Sequence, residues 1–130
     1  MLHEEITEKI IGSAYKVHNQ LGFGFIESVY KKSLLIELET QGLRAKEEVP
    51  IAVFYNGLPV GDFFADLVVE DSVIVELKSV QTLTVVHEVQ LVNYLTATKT
   101  ETGLLINFGP KGVDIKRKFR RLRQDSPEDI

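Results

Sequence analysis

Apolar residues recur every three or four positions along EEITEKIIGSAYKVHNQL, at Ile6, Ile10, Ile11, Ala14, Val17 and Leu21, so the chain opens on an amphipathic helix. Gly22-Phe23-Gly24 interrupts that period. It resumes from Phe25 to Gln41 through Ile26, Val29, Leu34, Leu35 and Leu38, and stops at Gly42, which predicts a second helix. From Arg44 the texture turns to β-branched and aromatic residues. AKEEVPIAVFYNG and LPVGDFFADLVVED, divided by Asn56-Gly57, read as a hairpin, and Asp71-Ser72 is the expected turn into a third strand, VIVELKSV. Apolar residues on both faces make that strand a central one. TVVHEVQLVNYLTATKT returns to helical spacing through Val85, Val89, Leu91, Val92 and Leu95. GLLINFG is an apolar run suited to a buried strand, and VDIKRKFRRL suits an edge strand. The predicted order is ααβββαββ, an α/β sandwich around a mixed sheet. Residues 1–123 are expected to form a single domain, and QDSPEDI, 124–130, a disordered tail.

Composition narrows the chemistry. No apolar run approaches the roughly 20 residues a membrane helix needs, and the acidic, amphipathic MLHEEITEKI lacks the features of a secretory signal, so a cytoplasmic location is expected. The chain has no cysteine, which leaves oxygen and imidazole as metal donors and points to hard cations. The net charge of −4 hides an uneven distribution. In KGVDIKRKFRRLR, seven basic side chains, among them Lys116, Arg117, Lys118, Arg120 and Arg121, meet one acid, Asp114. Such a strip suits a phosphate backbone, and equally a solvated C-terminal strand.

Charge also sits where core is expected. Strand alternation puts Ile74, Glu76 and Lys78 on one face of VIVELKSV. Pairing through the Asp71-Ser72 turn brings Asp66 beside Glu76. Two adjacent carboxylates repel, so in a partly dry site one takes up a proton unless a cation neutralises both. A divalent hard metal, Mg²⁺ or Mn²⁺, does so and supplies hydrolytic chemistry, with Lys78 at hand for a phosphate. A simple ion pair of Lys78 with Glu76 or Asp66 fits the same spacing. On the following helix His87, Gln90 and Tyr94 share a side, as do Glu27 and Tyr30 on the second helix, where Glu27 also suits the helix dipole. His18 is expected at the dipole of the first helix's C-terminus, and His3 at an exposed end.

GFIESVY resembles the motif that names the GxxExxY proteins, small prokaryotic-type domains of the PD-(D/E)xK nuclease superfamily. The resemblance continues through YKKSLLIELETQGL, ADLVVEDSVIVELKSV, LTVVHEVQLVNYL and GLLINFG, nearly all of residues 5–120. It implies a restriction-endonuclease-like αβββαβ core with an additional N-terminal helix and a C-terminal edge strand. It also implies catalytic roles for Glu27, Asp66, Glu76 and Lys78, with Asp66, Glu76 and Glu27 as metal ligands. Tyr30 is expected in support, and Gln90 and Tyr94 resemble the Q-x3-Y element of RecB-like nucleases. Ala65 stands where the superfamily's name has proline. The implied activity is metal-dependent hydrolysis of phosphodiester bonds, in DNA rather than RNA. The alternative is a non-catalytic nucleic-acid-binding or protein-interaction module that keeps the fold. A homodimer is compatible with either.

Overall fold

The computed structural model describes residues 3–121. Two helices, α1 (His3–Leu21) and α2 (Glu27–Thr40), precede strands β1 (Ala45–Tyr55), β2 (Leu58–Val69) and β3 (Val73–Lys78). Helix α3 (Val85–Thr98) then leads to β4 (Thr102–Phe108) and β5 (Val113–Phe119). This is an αβββαβ series with one helix in front and one edge strand behind. The sheet runs in the order β1-β2-β3-β4-β5, antiparallel except where α3 carries the chain over so that β3 and β4 pair in parallel. The expected tail at 124–130 lies outside the described residues.

Alternation along the strands builds two apolar layers. Val73, Val75 and Leu77 of β3, with Leu104, Ile106 and Phe108 of β4, pack under α1 and α2. Ile74 and Leu105 face the other way, against Leu91, Tyr94 and Leu95 of α3. All seven residues of β4 are buried, as a strand covered on both faces requires. No helix among the described residues is long and apolar enough to cross a membrane.

Helix α3 sits close to the sheet because β4 offers a glycine under it. A Cβ at Gly103 would lie 2.9 Å from Leu91 Cδ1, 3.1 Å from Leu95 Cδ2 and 3.2 Å from the Ile74 carbonyl oxygen. Gly103→Ala is therefore expected to destabilise the protein by about 1–3 kcal/mol through overpacking, measured as a shift in urea midpoint at constant m-value.

Two local expectations change. The second turn is centred on Glu70-Asp71 rather than Asp71-Ser72: both carry positive φ, 53° and 52°, and Ser72 N–H donates to the Val69 carbonyl at 3.0 Å. This primed-type geometry matches the twist of the β2–β3 hairpin better than the alternative. Val85 and Val89, which follow the helical period, stay 71% and 50% exposed, because the start of α3 overhangs the sheet and only its later turns are buried.

Candidate active site

The site begins where β2 and β3 part. Their ladder pairs Val69 with Val73, Val68 with Ile74 and Leu67 with Val75, and goes no further, while β1 and β2 continue together to Tyr55 and Leu58. Asp66 and Glu76 are the next residues on either side of that fork. Their carboxylates take over from the ladder: Asp66 Oδ2 accepts the Leu77 N–H at 2.7 Å, and Glu76 Oε1 accepts the Asp66 N–H at 3.4 Å. Each acid thus satisfies a backbone donor of the opposite strand, which explains how both remain in a half-buried place.

Two acids so close cannot both ionise freely. Burial first, and the Asp66 carboxylate second, push Glu76 up to about 9 from 4.5, while Lys78 pulls weakly the other way. Glu76 is accordingly protonated at neutral pH. Tyr94 feels the same neighbourhood: burial and the Glu76 charge raise its hydroxyl, whose oxygen accepts the Gln90 side-chain amide at 2.9 Å. Gln90 and Tyr94 therefore form one unit against the acids. Phe63 lies over Tyr94 with ring centroids 5.5 Å apart.

Asp66 also lines a cleft of about 160 Å³ together with Glu27, Ser28, Lys31, Glu48 and Leu77. Glu27 enters it as the first residue of α2, held there by the two other landmarks of GFIESVY. Gly24 adopts φ 118°, a conformation that suits glycine, and Tyr30 is wholly buried, stacked on Phe108 with ring centroids 4.4 Å apart. The Tyr30 hydroxyl donates to the Gly22 carbonyl and accepts the Phe25 N–H, so it staples the loop that precedes Glu27. Ser79, just beyond Lys78, donates to the Phe25 carbonyl at 2.8 Å and ties the same loop to β3. Tyr30 thus supports the site by fixing backbone. Glu27 remains exposed at the rim, and among the described residues there is no cluster of three or more His, Asp or Glu side chains placed to hold a metal. The acids brought together are Asp66 and Glu76, with Glu27 across the cleft.

Sequence reasoning passed over three residues here. Asn107, buried in β4 opposite Lys78, bonds both the N–H and the carbonyl of Val80 at 2.9 Å and so holds the chain as it leaves β3. Its signal was a lone amide in an apolar run. Lys31 follows Glu27 by one helical turn, and Glu48 sits on β1 with φ 51°.

Other candidates are placed differently. His87 caps its own helix, its Nδ1 accepting the Thr84 N–H at 3.3 Å. His18 Nε2 donates to the Gly109 carbonyl at 2.7 Å, bridging α1 to the end of β4, and His3 Nδ1 lies 3.4 Å from Thr102 Oγ1. Among the described residues the basic strip is divided between the two faces of β5 and the segment beyond it. On β5, Lys116 and Lys118 alternate with Arg117, which turns toward α1 and bonds Thr7 Oγ1 at 3.0 Å. Lys118 pairs with Glu88 at 3.2 Å, Arg120 with Glu101 at 2.8 Å, and Arg121 reaches Asn93 at 3.3 Å. Lys116 remains exposed.

A family model described as the PD-(D/E)XK nuclease superfamily matches residues 4–122. The mixed α/β architecture with its five-stranded sheet agrees with the restriction-endonuclease-like fold of that group. Among solved structures, the crystal structure of SSO0001 is similar over 93% of this chain, with a TM-score of 0.60 and 21% identity. The match spans 60% of the SSO0001 chain, and at that identity the likeness concerns the fold. No curated protein matches the sequence.

Proposed function

The chain belongs to the PD-(D/E)XK nuclease superfamily, whose members generally use divalent metals, and from that premise we propose that it is a Mg²⁺- or Mn²⁺-dependent nuclease of the GxxExxY type acting on DNA. The observation that carries this reading is the reciprocal pair of carboxylates at the β2–β3 fork, where burial and then the Asp66 charge raise Glu76. An all-oxygen pair suits Mg²⁺, which is commonly bound by one or two carboxylates together with substrate phosphate and water rather than by a complete protein cage. Asp66 and Glu76 would hold the ion, which when bound polarises the scissile phosphate and makes water a better nucleophile.

The chain's own groups do the rest. Lys78, on the same strand face as Glu76, stabilises the negative charge that grows on the phosphoryl oxygens during in-line attack. Glu27, at the rim, orients the attacking water. The Gln90–Tyr94 unit fixes the wall beside Glu76 and contacts the substrate strand. Lys116, two strands from β3 and roughly 10 Å away in the sheet, meets a more distant phosphate.

The test is phosphodiester cleavage of single-stranded, duplex and branched DNA with Mg²⁺ or Mn²⁺, repeated with chelator. Lys78→Ala is expected to lower kcat about 100- to 1000-fold with an unchanged fold. Cleavage that survives chelation or this substitution would refute the assignment. The second reading, a non-catalytic binding module, has in its favour that no three-acid cluster occurs among the described residues. It predicts salt-dependent DNA binding with no metal-dependent cleavage.

A further inference from the structure

The cleft at Asp66 is anionic. Glu27, Glu48 and Asp66 line it against a single lysine, Lys31, so an approaching phosphodiester meets net repulsion there. Arg117, Lys118, Arg120 and Arg121 are not among its lining residues and are tied to Thr7, Glu88, Glu101 and Asn93. Lys31 is the local cation, and in the free protein it is engaged. Its side chain is only 14% exposed, with Nζ 2.5 Å from Glu48 Oε1 and 3.5 Å from Glu47 Oε1. The hydrogen bond it donates to Glu48 raises the ammonium above its usual range, ahead of the opposing effect of burial.

Glu48 reaches Lys31 through an unusual backbone. It lies in β1 across from Asp66, between the pairs Glu47–Leu67 and Val49–Ala65, and takes φ 51°, which a non-glycine residue in a strand adopts only where the surroundings hold it. Its side chain is 53% exposed, so the carboxylate occupies a solvent-facing position that another anion could take.

We propose that Lys31 is a substrate-binding residue that grips a backbone phosphate next to the scissile one, and that Glu48 is its placeholder, an internal carboxylate displaced from Lys31 when nucleic acid enters the cleft. The inference rests on the nuclease reading and deepens it. Exchange of one singly charged oxygen anion for another leaves the lysine with an anionic partner in both states. The carboxylate keeps the cleft closed to weakly bound anions and sets a threshold for substrate entry.

A purely architectural salt bridge between α2 and β1 makes different predictions, and the sign of one substitution separates them. With the placeholder, Glu48→Gln leaves Lys31 only the more distant Glu47 as an anionic partner, 3.5 Å away, and lowers KM about threefold while kcat holds. Lys31→Ala raises KM about tenfold or more, leaves kcat within about twofold, and lowers by about one the slope of log K against log salt for oligonucleotide binding in Ca²⁺. Lys31→Arg restores most of the affinity. An architectural bridge predicts instead that both Glu48→Gln and Lys31→Ala reduce the melting temperature and that neither improves KM. A wild-type enzyme that cleaves while Glu48→Gln raises KM, or Lys31→Ala leaves KM and the salt slope unchanged, overturns the placeholder and leaves the nuclease assignment standing. A wild-type protein that neither cleaves nor binds the oligonucleotide removes both.

Discussion

Glu76→Gln is expected to reduce metal-dependent cleavage about a thousandfold or more while leaving a folded, more alkali-tolerant protein. The amide keeps the shape of the side chain and can still accept the Asp66 N–H, so the β2–β3 fork should persist. What disappears is the anionic oxygen that a hard cation needs beside Asp66, and with it the electrostatic stabilisation of the attacked phosphate. Stability should move in the opposite direction. The folded Glu76 carboxyl is raised to about 9 against 4.5 in the open chain, so between those values the folded state holds a proton that the unfolded state has lost. Its contribution is fully present below about 4.5 and is lost as pH rises toward about 9. The glutamine has no such titration. The variant's melting temperature relative to wild type should therefore climb across that window, and a constant difference from pH 5 to 9 would contradict a folded Glu76 that keeps its proton there.

The same proton couples to metal. A cation between Asp66 and Glu76 requires both carboxylates, so binding must expel the proton that Glu76 carries below about 9. Titration calorimetry with Mn²⁺ or Mg²⁺ in two buffers of different ionisation enthalpy should report release of about one proton per ion near neutrality, and the apparent Kd should tighten about tenfold for each pH unit between roughly 6 and 8. Glu76→Gln should abolish the proton release and weaken binding sharply. An affinity that does not change with pH, or a proton count near zero in wild type, would place the ion elsewhere.

The legible part of the fold was the part governed by period. Apolar spacing of three to four gave α1 and α2, and Asn56-Gly57 gave the first hairpin, whose two residues carry φ 51° and 78° as a primed turn requires. Alternation in VIVELKSV put Glu76 and Lys78 on one face, and the short turn after β2 put Asp66 beside Glu76. The same period of two, applied to VDIKRKF, would have split the basic strip, since Lys116 and Lys118 cannot share a face with Arg117. Local pattern failed where a partner is distant. Lys31 and Glu48 are 17 residues apart and meet only because α2 lies across β1 and Glu48 adopts a positive φ, neither of which is written in spacing. Likewise the exposure of Val85 and Val89 depends on where α3 docks over Gly103, and the capping role of His87 on a bond to Thr84.

The claim on which the account turns is that the carboxyl pair at the fork receives a divalent cation. Diffraction from crystals soaked in Mn²⁺, recorded at the manganese absorption edge, addresses it most directly. An anomalous peak is expected within coordination distance, roughly 2.0–2.3 Å, of oxygens from both Asp66 and Glu76, absent in Glu76→Gln. A well-occupied peak away from both residues, or none in crystals saturated with Mn²⁺, would contradict it.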